Sequence, residues 1–404
     1  MKILHVSTSD AGGAANAAIR LHHGLLNQNI HSTYLTLHSF TKNVKQHVQH
    51  SYNIKEKFLE RLRLKFRIEK YQNEKKQIRN LIQEGAIDTA HFPFSNFDIT
   101  TQKEYQEADI INLHWVNNYL NPSSFFEKNT KPTIWTLHDM YSFSGVCHYQ
   151  VDYDRSSSLH EIDAIARKIK QKAYQKAKLE IVCPSKWLLN KSMTSDFFSR
   201  FSHHYIPYSL NTNIFKLQNQ YKAREELNLP QDKKIALFVS QRIKNYRKGF
   251  DLLREAIGVV NNITSNLHVV AIGNKQFVED SGIHYLGSIK NETEMAKAYA
   301  AADVFILPSR EDNLPNVMLE SLACGTPVIS FPTGGMLDTI DNGINGFLCS
   351  EISVKSLVET IQKWMSGSDS FIREKISEEA KKLYTEESQA IKYIKLYKSM
   401  LESF

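Results

Sequence analysis

Short apolar runs alternate with longer amphipathic stretches along this chain. "KILHVST" is a strand-like run, and "DAGGAANAAIRLHHGLLNQ" follows it as a glycine turn and a helix. Ile19, Leu21 and Leu25 fall near one face of that helix. "STYLTL" then reads as a strand, and "ADIINLHW", "PTIWTLHD" and "LEIVCPS" read as buried parallel strands. All three carry β-branched residues and end in polar ones. Strands alternating with helices predict a doubly wound parallel sheet whose ligand edge is the strand C-termini.

After "HYIPYSLNTNIF" the pattern restarts. "KKIALFVS", "NLHVVAIG", "IHYLG", "ADVFILPS", "PVISF" and "GFLC" form a second strand series. The helices "GFDLLREAIGVV", "ETEMAKAYAAA", "NVMLESLACG" and "SVKSLVETIQKWM" lie among them. The economical reading is two Rossmann-like α/β domains joined near 206–216: residues 1–207, then 208–385. A last helix within 386–404 has no strand after it, so it caps either domain or crosses back to the first. A chain of 404 residues is too long for one ordinary core, which agrees. There is no internal repeat and no low-complexity tract.

Charge changes the picture at one place. Residues 42–84 hold twelve Lys/Arg against five Glu, an excess equal to the whole chain's +7. That segment is either a solvated helical face or a docking surface for an anionic partner, a membrane surface or an acidic acceptor. "RLRLKFRIEK" alternates like a strand, but Phe58, Leu59, Leu62 and Phe66 share a helical face, and helix is the reading preferred. No apolar run reaches the roughly 20 residues of a membrane span. The start reads as a strand rather than a signal peptide, so a cytoplasmic protein is expected. Cys147, Cys183, Cys324 and Cys349 are scattered, which argues against a disulfide framework or a zinc site.

The candidate chemistry sits at the strand ends. Gly12 and Gly13 open the first helix, either as a tight turn or as backbone through which a phosphate reaches helix amides. The dinucleotide fingerprint is missing. Arg242 and Lys248 lie six apart after the first strand of the second series, with Arg247 beside Lys248, and suit a diphosphate. Pro315 falls in the first turn of a helix expected to run to Gly325, and Glu320 lies inside it, an acid in apolar surroundings that needs a partner. His138 and Asp139 end one strand, His114 and Trp115 another. His138 is the better candidate acid, base or hydroxyl binder, His114 reads as a satisfied wall histidine, and His148 as a residue closing a loop over the same cleft. Asp152 and Asp154 look like a chance pair. No hydrolase, zincin or P-loop motif is present.

Together these residues resemble the retaining glycosyltransferases of family 4, and among them the bacterial capsule, exopolysaccharide and O-antigen enzymes. The resemblance rests on "SDAGGAANAAIRLHHGL", "NLHW", "TLHDMYSFSGVCHY", "CPSKWL", "IPYSLNTNIFK", "RIKNYRKGF" and "LPSREDNLPNVMLESLACGTPVISFPTGG". It implies a B-type fold, two Rossmann-like domains facing a central cleft. Two acids separated by seven residues mark the family, and counting back from Glu320 gives Asp312, where relatives usually have Glu; Glu311 then becomes a rim residue. By the same resemblance, Glu320 binds the nucleotide ribose and Asp312 sits near the donor sugar, with Asn313, Leu314, Asn316 and Val317 beside it. Arg242 and Lys248 hold the diphosphate, Gly12 and Gly13 face it, and His138 contacts a donor-sugar hydroxyl. The implied reaction is metal-independent, with same-face attack on a nucleotide-sugar donor and no further cofactor. The implied acceptor is a glycan or lipid-linked molecule at the inner membrane face, with no nucleic-acid partner. Relatives carry a cysteine-rich insert after "CHY"; "QVDYDRSSSLHEID" stands there instead. A non-catalytic nucleotide-sugar-binding subunit and a sugar-nucleotide epimerase are the alternative readings.

Overall fold

The structure is a computed structural model describing residues 1–41, 44–52, 56–58, 61–62, 70–243, 245–274, 282–289, 291–367 and 371–403. The apolar runs of the first half become β1 (Lys2–Ser9), β2 (His31–His38), β3 (His47–Gln49), β4 (Ile110–Leu113), β5 (Thr133–Thr136), β6 (Leu179–Cys183) and β7 (Ser202–Tyr205). They form one sheet in the order β3-β2-β1-β4-β5-β6-β7, with every pairing parallel. The second half gives β8 (Lys234–Arg242), β9 (Leu267–Asn274), β10 (Ile283–Gly287), β11 (Val304–Leu307), β12 (Val328–Ser330) and β13 (Gly346–Leu348). Their order is β10-β9-β8-β11-β12-β13, again parallel throughout. Each order reverses beside its first strand, between β1 and β4 and between β8 and β11. A crevice for ligand opens at such a reversal, outside the strand C-termini.

Two compact units result. One comprises Met1–Ser209 with Glu386–Phe404, the other Leu210–Thr385. In the first, the two-residue period of β1 divides the core. Leu4 and Val6 pack with Leu113 and Trp135 on one face. Ile3 packs with Ile110, Ile134 and Val182 on the other. The helix Glu386–Ser403 covers that second face with Tyr393, Leu396, Tyr397 and Met400. Its phenols are tied to the sheet: Asn112 Nδ2 donates to Tyr397 Oη at 2.9 Å, and Thr136 Oγ1 lies 2.9 Å from Tyr393 Oη. Each such side chain taken fully out of water contributes about 1.5–3 kcal/mol. In the second unit Leu253, Ile257, Leu357, Ile361 and Trp364 cover one face of the sheet.

The basic segment is helical, as read, where the stretch 56–70 is described, at 56–58 and 61–62. His47–Gln49 inside it is the edge strand β3, whose polar residues have no buried face to reveal a period. A further helix follows at Gln72–Gln83. Leu59, Phe66, Arg63 and Arg67 lie outside the described residues, while Phe58 is 59% exposed and does not join a core. Among the described residues, no helix is long and apolar enough to cross a membrane.

Candidate functional site

In the second unit, β8 ends at Arg242 and the chain makes a single turn of 3-10 helix, Tyr246–Lys248. Gly249 then takes φ +67°, and a Cβ there would lie 1.8 Å from the carbonyl oxygen of Pro308, so both its conformation and its packing call for glycine. This close approach brings the turn against the loop after β11. Arg310 fastens the two: its amide donates to Arg247 O at 2.8 Å, its guanidinium reaches both carboxylate oxygens of Asp251 at 2.7 and 2.5 Å, and it lies over the Tyr246 ring at 3.8 Å.

Two cations therefore meet one carboxylate. Lys248 Nζ is 2.5 Å from Asp312 Oδ2, and Arg247 Nη1 is 3.1 Å from the same oxygen. Burial alone would raise the Asp312 pKa, but Arg247 and Lys248 outweigh it and hold the carboxyl at about 2. Burial pushes the Lys248 ammonium below its ordinary value, with Asp312 opposing. The sequence reading paired Lys248 with Arg242. Arg242 is exposed at the end of β8, and the 3-10 turn that follows carries Arg247, beside Lys248, to Asp312.

The loop after Asp312 is pressed from behind by two glycines. A Cβ on Gly334, whose φ is +58°, would meet Asp312 O at 1.6 Å; the amide of Gly335 donates to Asn313 O at 2.5 Å. Asn313 and Leu314 are buried, and Asn316 and Val317 half-buried. Pro315 caps the helix Asn316–Ala323 from just outside its first turn, and the helix ends before Gly325. Glu320 is buried and accepts from Tyr299 Oη at 3.1 Å. Glu311 is 8% exposed, with its carbonyl accepting from Arg247 at 2.8 Å, so it is an interior residue and not part of a rim.

In the first unit, Gly12 takes φ +100° and precedes the helix that Gly13 begins. Asp10, which the sequence pattern did not single out, is buried beside it and accepts from the amides of Phe40 and Thr41 at 2.7 and 3.0 Å. His138 is buried with both ring nitrogens in use: Nδ1 lies 2.7 Å from Tyr208 Oη, Nε2 3.2 Å from His114 Nδ1. Burial lowers its pKa to about 4, partly opposed by Asp139, so it is neutral at physiological pH. His114 continues the chain of rings, with Nε2 2.8 Å from His5 Nδ1, and is a satisfied wall residue. His148 is buried, its Nδ1 2.6 Å from Asp139 Oδ2. Asp152 is buried and accepts from the Asp88 amide at 2.7 Å, while Asp154 is exposed, so the two act separately. All four cysteines are free and buried.

The chain is similar to known proteins in sequence and in fold. Residues 219–383 match the family described as glycosyl transferases group 1. The D-inositol 3-phosphate glycosyltransferase of Streptosporangium roseum is 31% identical over 157 residues. That match covers 34% of this chain, and the chain spans only 36% of the length of this curated relative. Among solved structures, sucrose-phosphate synthase from Thermosynechococcus elongatus superposes with a TM-score of 0.70 at 18% identity, covering 100% of both chains. Anabaena HepE in complex with UDP gives 0.70 at 14% identity, covering 99% of this chain and 100% of its own, and another structure of HepE is in complex with UDP-glucose. The fold is thus that of the B-type glycosyltransferases, and the match to the group 1 family falls within the second unit.

Proposed function

We propose that this chain is a retaining glycosyltransferase that moves a sugar from a nucleoside-diphosphate donor to a lipid-linked or surface-polysaccharide acceptor. The observation that carries the reading is the Arg247–Lys248–Asp312 triad at the β8/β11 reversal, beside the amino end of the Glu320 helix. Two cations against one carboxylate leave a net positive charge in a buried setting, where it is worth more than in water. A departing diphosphate needs such charge, and fixed cations with helix-terminal amides supply it without reorganising. In this reading Arg247, Lys248 and Arg242 take the diphosphate and Glu320 the ribose hydroxyls, with Asp312 orienting the cations and lying near the donor sugar. No metal is invoked. Within the first unit, the Gly12–Gly13 turn presents amides of its own that suit an anion. UDP and UDP-glucose bound to HepE support a uridine nucleotide as the first donor to try. The acceptor class rests on the sequence resemblance.

A thermal-shift screen of UDP, GDP, ADP and TDP sugars tests donor binding; a ligand at a hundredfold its Kd adds about 2.7 kcal/mol of stability. Turnover should then be lost in Lys248→Ala and Glu320→Ala. A chain that binds donor yet never turns it over with any glycan or lipid-linked acceptor would count against catalysis, and donor conversion without acceptor would indicate an epimerase. Docking on anionic lipid through residues 42–84 belongs to the same proposal, and liposome binding unchanged by reversing Arg61, Arg63 and Arg67 would remove it.

A further inference from the structure

A second file of polar groups in the first unit plays no part in the reading above. Asp139 is its anchor. The carboxylate accepts from Trp115 Nε1 at 3.1 Å, from the Tyr141 amide at 3.0 Å and from His148 Nδ1 at 2.6 Å. Burial opposes its ionisation, but His148, the Tyr141 amide and His138 hold its pKa below the ordinary carboxylate range. Ionised, it can only accept, so His148 carries its proton on Nδ1. His148 Nε2 faces the amide nitrogen of Asn117 at 3.4 Å and is therefore the lone-pair side. It also lies 2.8 Å from His91 Nδ1, so the proton in that contact belongs to His91. Burial, with His148 adding to it, pushes the His91 pKa to about 3, leaving the ring neutral with one proton, already placed on Nδ1. Its Nε2 is consequently a bare acceptor. His91 is half-buried, and this nitrogen makes no hydrogen bond among the described residues.

The surroundings of that nitrogen are aromatic. The Trp115 ring is half-buried and meets the His91 ring edge-on, with centroids 5.3 Å apart at 87°. Tyr141 stacks on His148 at 5.0 Å and 14°, stiffening the file from the far side. A pyranose has the matching chemistry: an apolar C–H face for an indole and hydroxyl protons for a fixed lone pair.

We propose that His91 Nε2 and the Trp115 ring form a binding site for a neutral hexopyranose, with Asp139 and His148 as positioning residues that fix the His91 tautomer. Under the glycosyl-transfer reading, on which the assignment of role rests, this sugar is the terminal residue of the acceptor. The low proton affinity of His91 makes it a hydrogen-bond acceptor for the hydroxyl rather than a base that removes the proton.

The test is imidazole nitrogen NMR on the ¹⁵N-labelled full chain at neutral pH. His91 should read as the Nδ1–H tautomer with a bare Nε2. Methyl glycosides of glucose, galactose, mannose and N-acetylglucosamine are then titrated in. At least one should shift His91 Nε2 and the Trp115 indole together and saturably. His91→Phe should weaken that binding about tenfold, the value of one lost hydrogen bond. Asp139→Asn, which never touches the sugar, should weaken it too and let the Nε2–H tautomer appear, as the wrong tautomer follows loss of an orienting carboxylate elsewhere. An Nε2–H tautomer in the unmodified chain, no saturable shift with any glycoside, or full binding by His91→Phe would each overturn the proposal. The nucleotide-sugar thermal shift is measured on His91→Phe in parallel and should be unchanged. If glycosides bind but no nucleotide sugar does, the glycosyl-transfer reading fails and the sugar site stands.

Discussion

Mild acid should unfold the first unit while the second survives. His5, His22, His114 and His138 are buried in the first unit and His91 is half-buried, all with pKa values lowered chiefly by burial. The unfolded chain binds protons at these sites below about pH 6.5 and the native chain does not, so stability is complete above that value and falls as pH falls. His22 and His138 are each displaced to about 4. Going from about pH 7 to about pH 5 then costs about 2 kcal/mol for each, about 4 kcal/mol together. The other three histidines act in the same direction. That loss is a large part of the roughly 5–15 kcal/mol that holds a domain folded. The second unit has only His268 and His284, both half-buried. Urea unfolding at the two pH values, read peptide by peptide by hydrogen exchange, separates the units. A first-unit midpoint that moves no further than that of the second would refute the reasoning.

Three further outcomes follow from the geometry. Gly334→Ala should cost about 2 kcal/mol or more and abolish any nucleotide-sugar thermal shift, since its Cβ would lie 1.6 Å from Asp312 O at a φ of +58°. Lys170→Met should lower the melting point by the equivalent of about 2–5 kcal/mol. The buried Lys170 ammonium donates to the carbonyls of Tyr141, Ser144 and Gly145 and lies 3.6 Å over the Tyr141 ring, so its loss strands three acceptors. Asp312→Asn should destabilise by about 2–3 kcal/mol at neutral pH. That difference should vanish as pH falls from about 4 through about 2, because the wild-type carboxylate protonates there.

The sequence made some of this legible and hid the rest for physical reasons. Buried parallel strands advertise themselves by unbroken apolar runs, so β1, β4, β5, β6, β8, β9 and β11 could be read directly. The edge strands β3 and β7 could not: "HVQ" and "SHHY" bury no continuous face, and only pairing with a neighbour makes them strands. Asp312 and Glu320 were legible as candidates from their spacing, and Lys248 from its place after a strand. Arg247 was read only as a neighbour of Lys248, because a 3-10 turn, not a strand, carries it inward.

What the sequence by itself determined was the alternation of elements, and hence the two parallel sheets with their polar strand ends. Local periodicity encodes those, since burial of one face or both is decided residue by residue. What only the tertiary structure decided was partnership. Arg247 and Lys248 meet Asp312, both nitrogens of His138 are spent on Tyr208 and His114, and Asp139 reaches His91 through His148. Such contacts join residues far apart in the chain through single hydrogen bonds. No period records them, and they exist only once the sheets have brought the loops together.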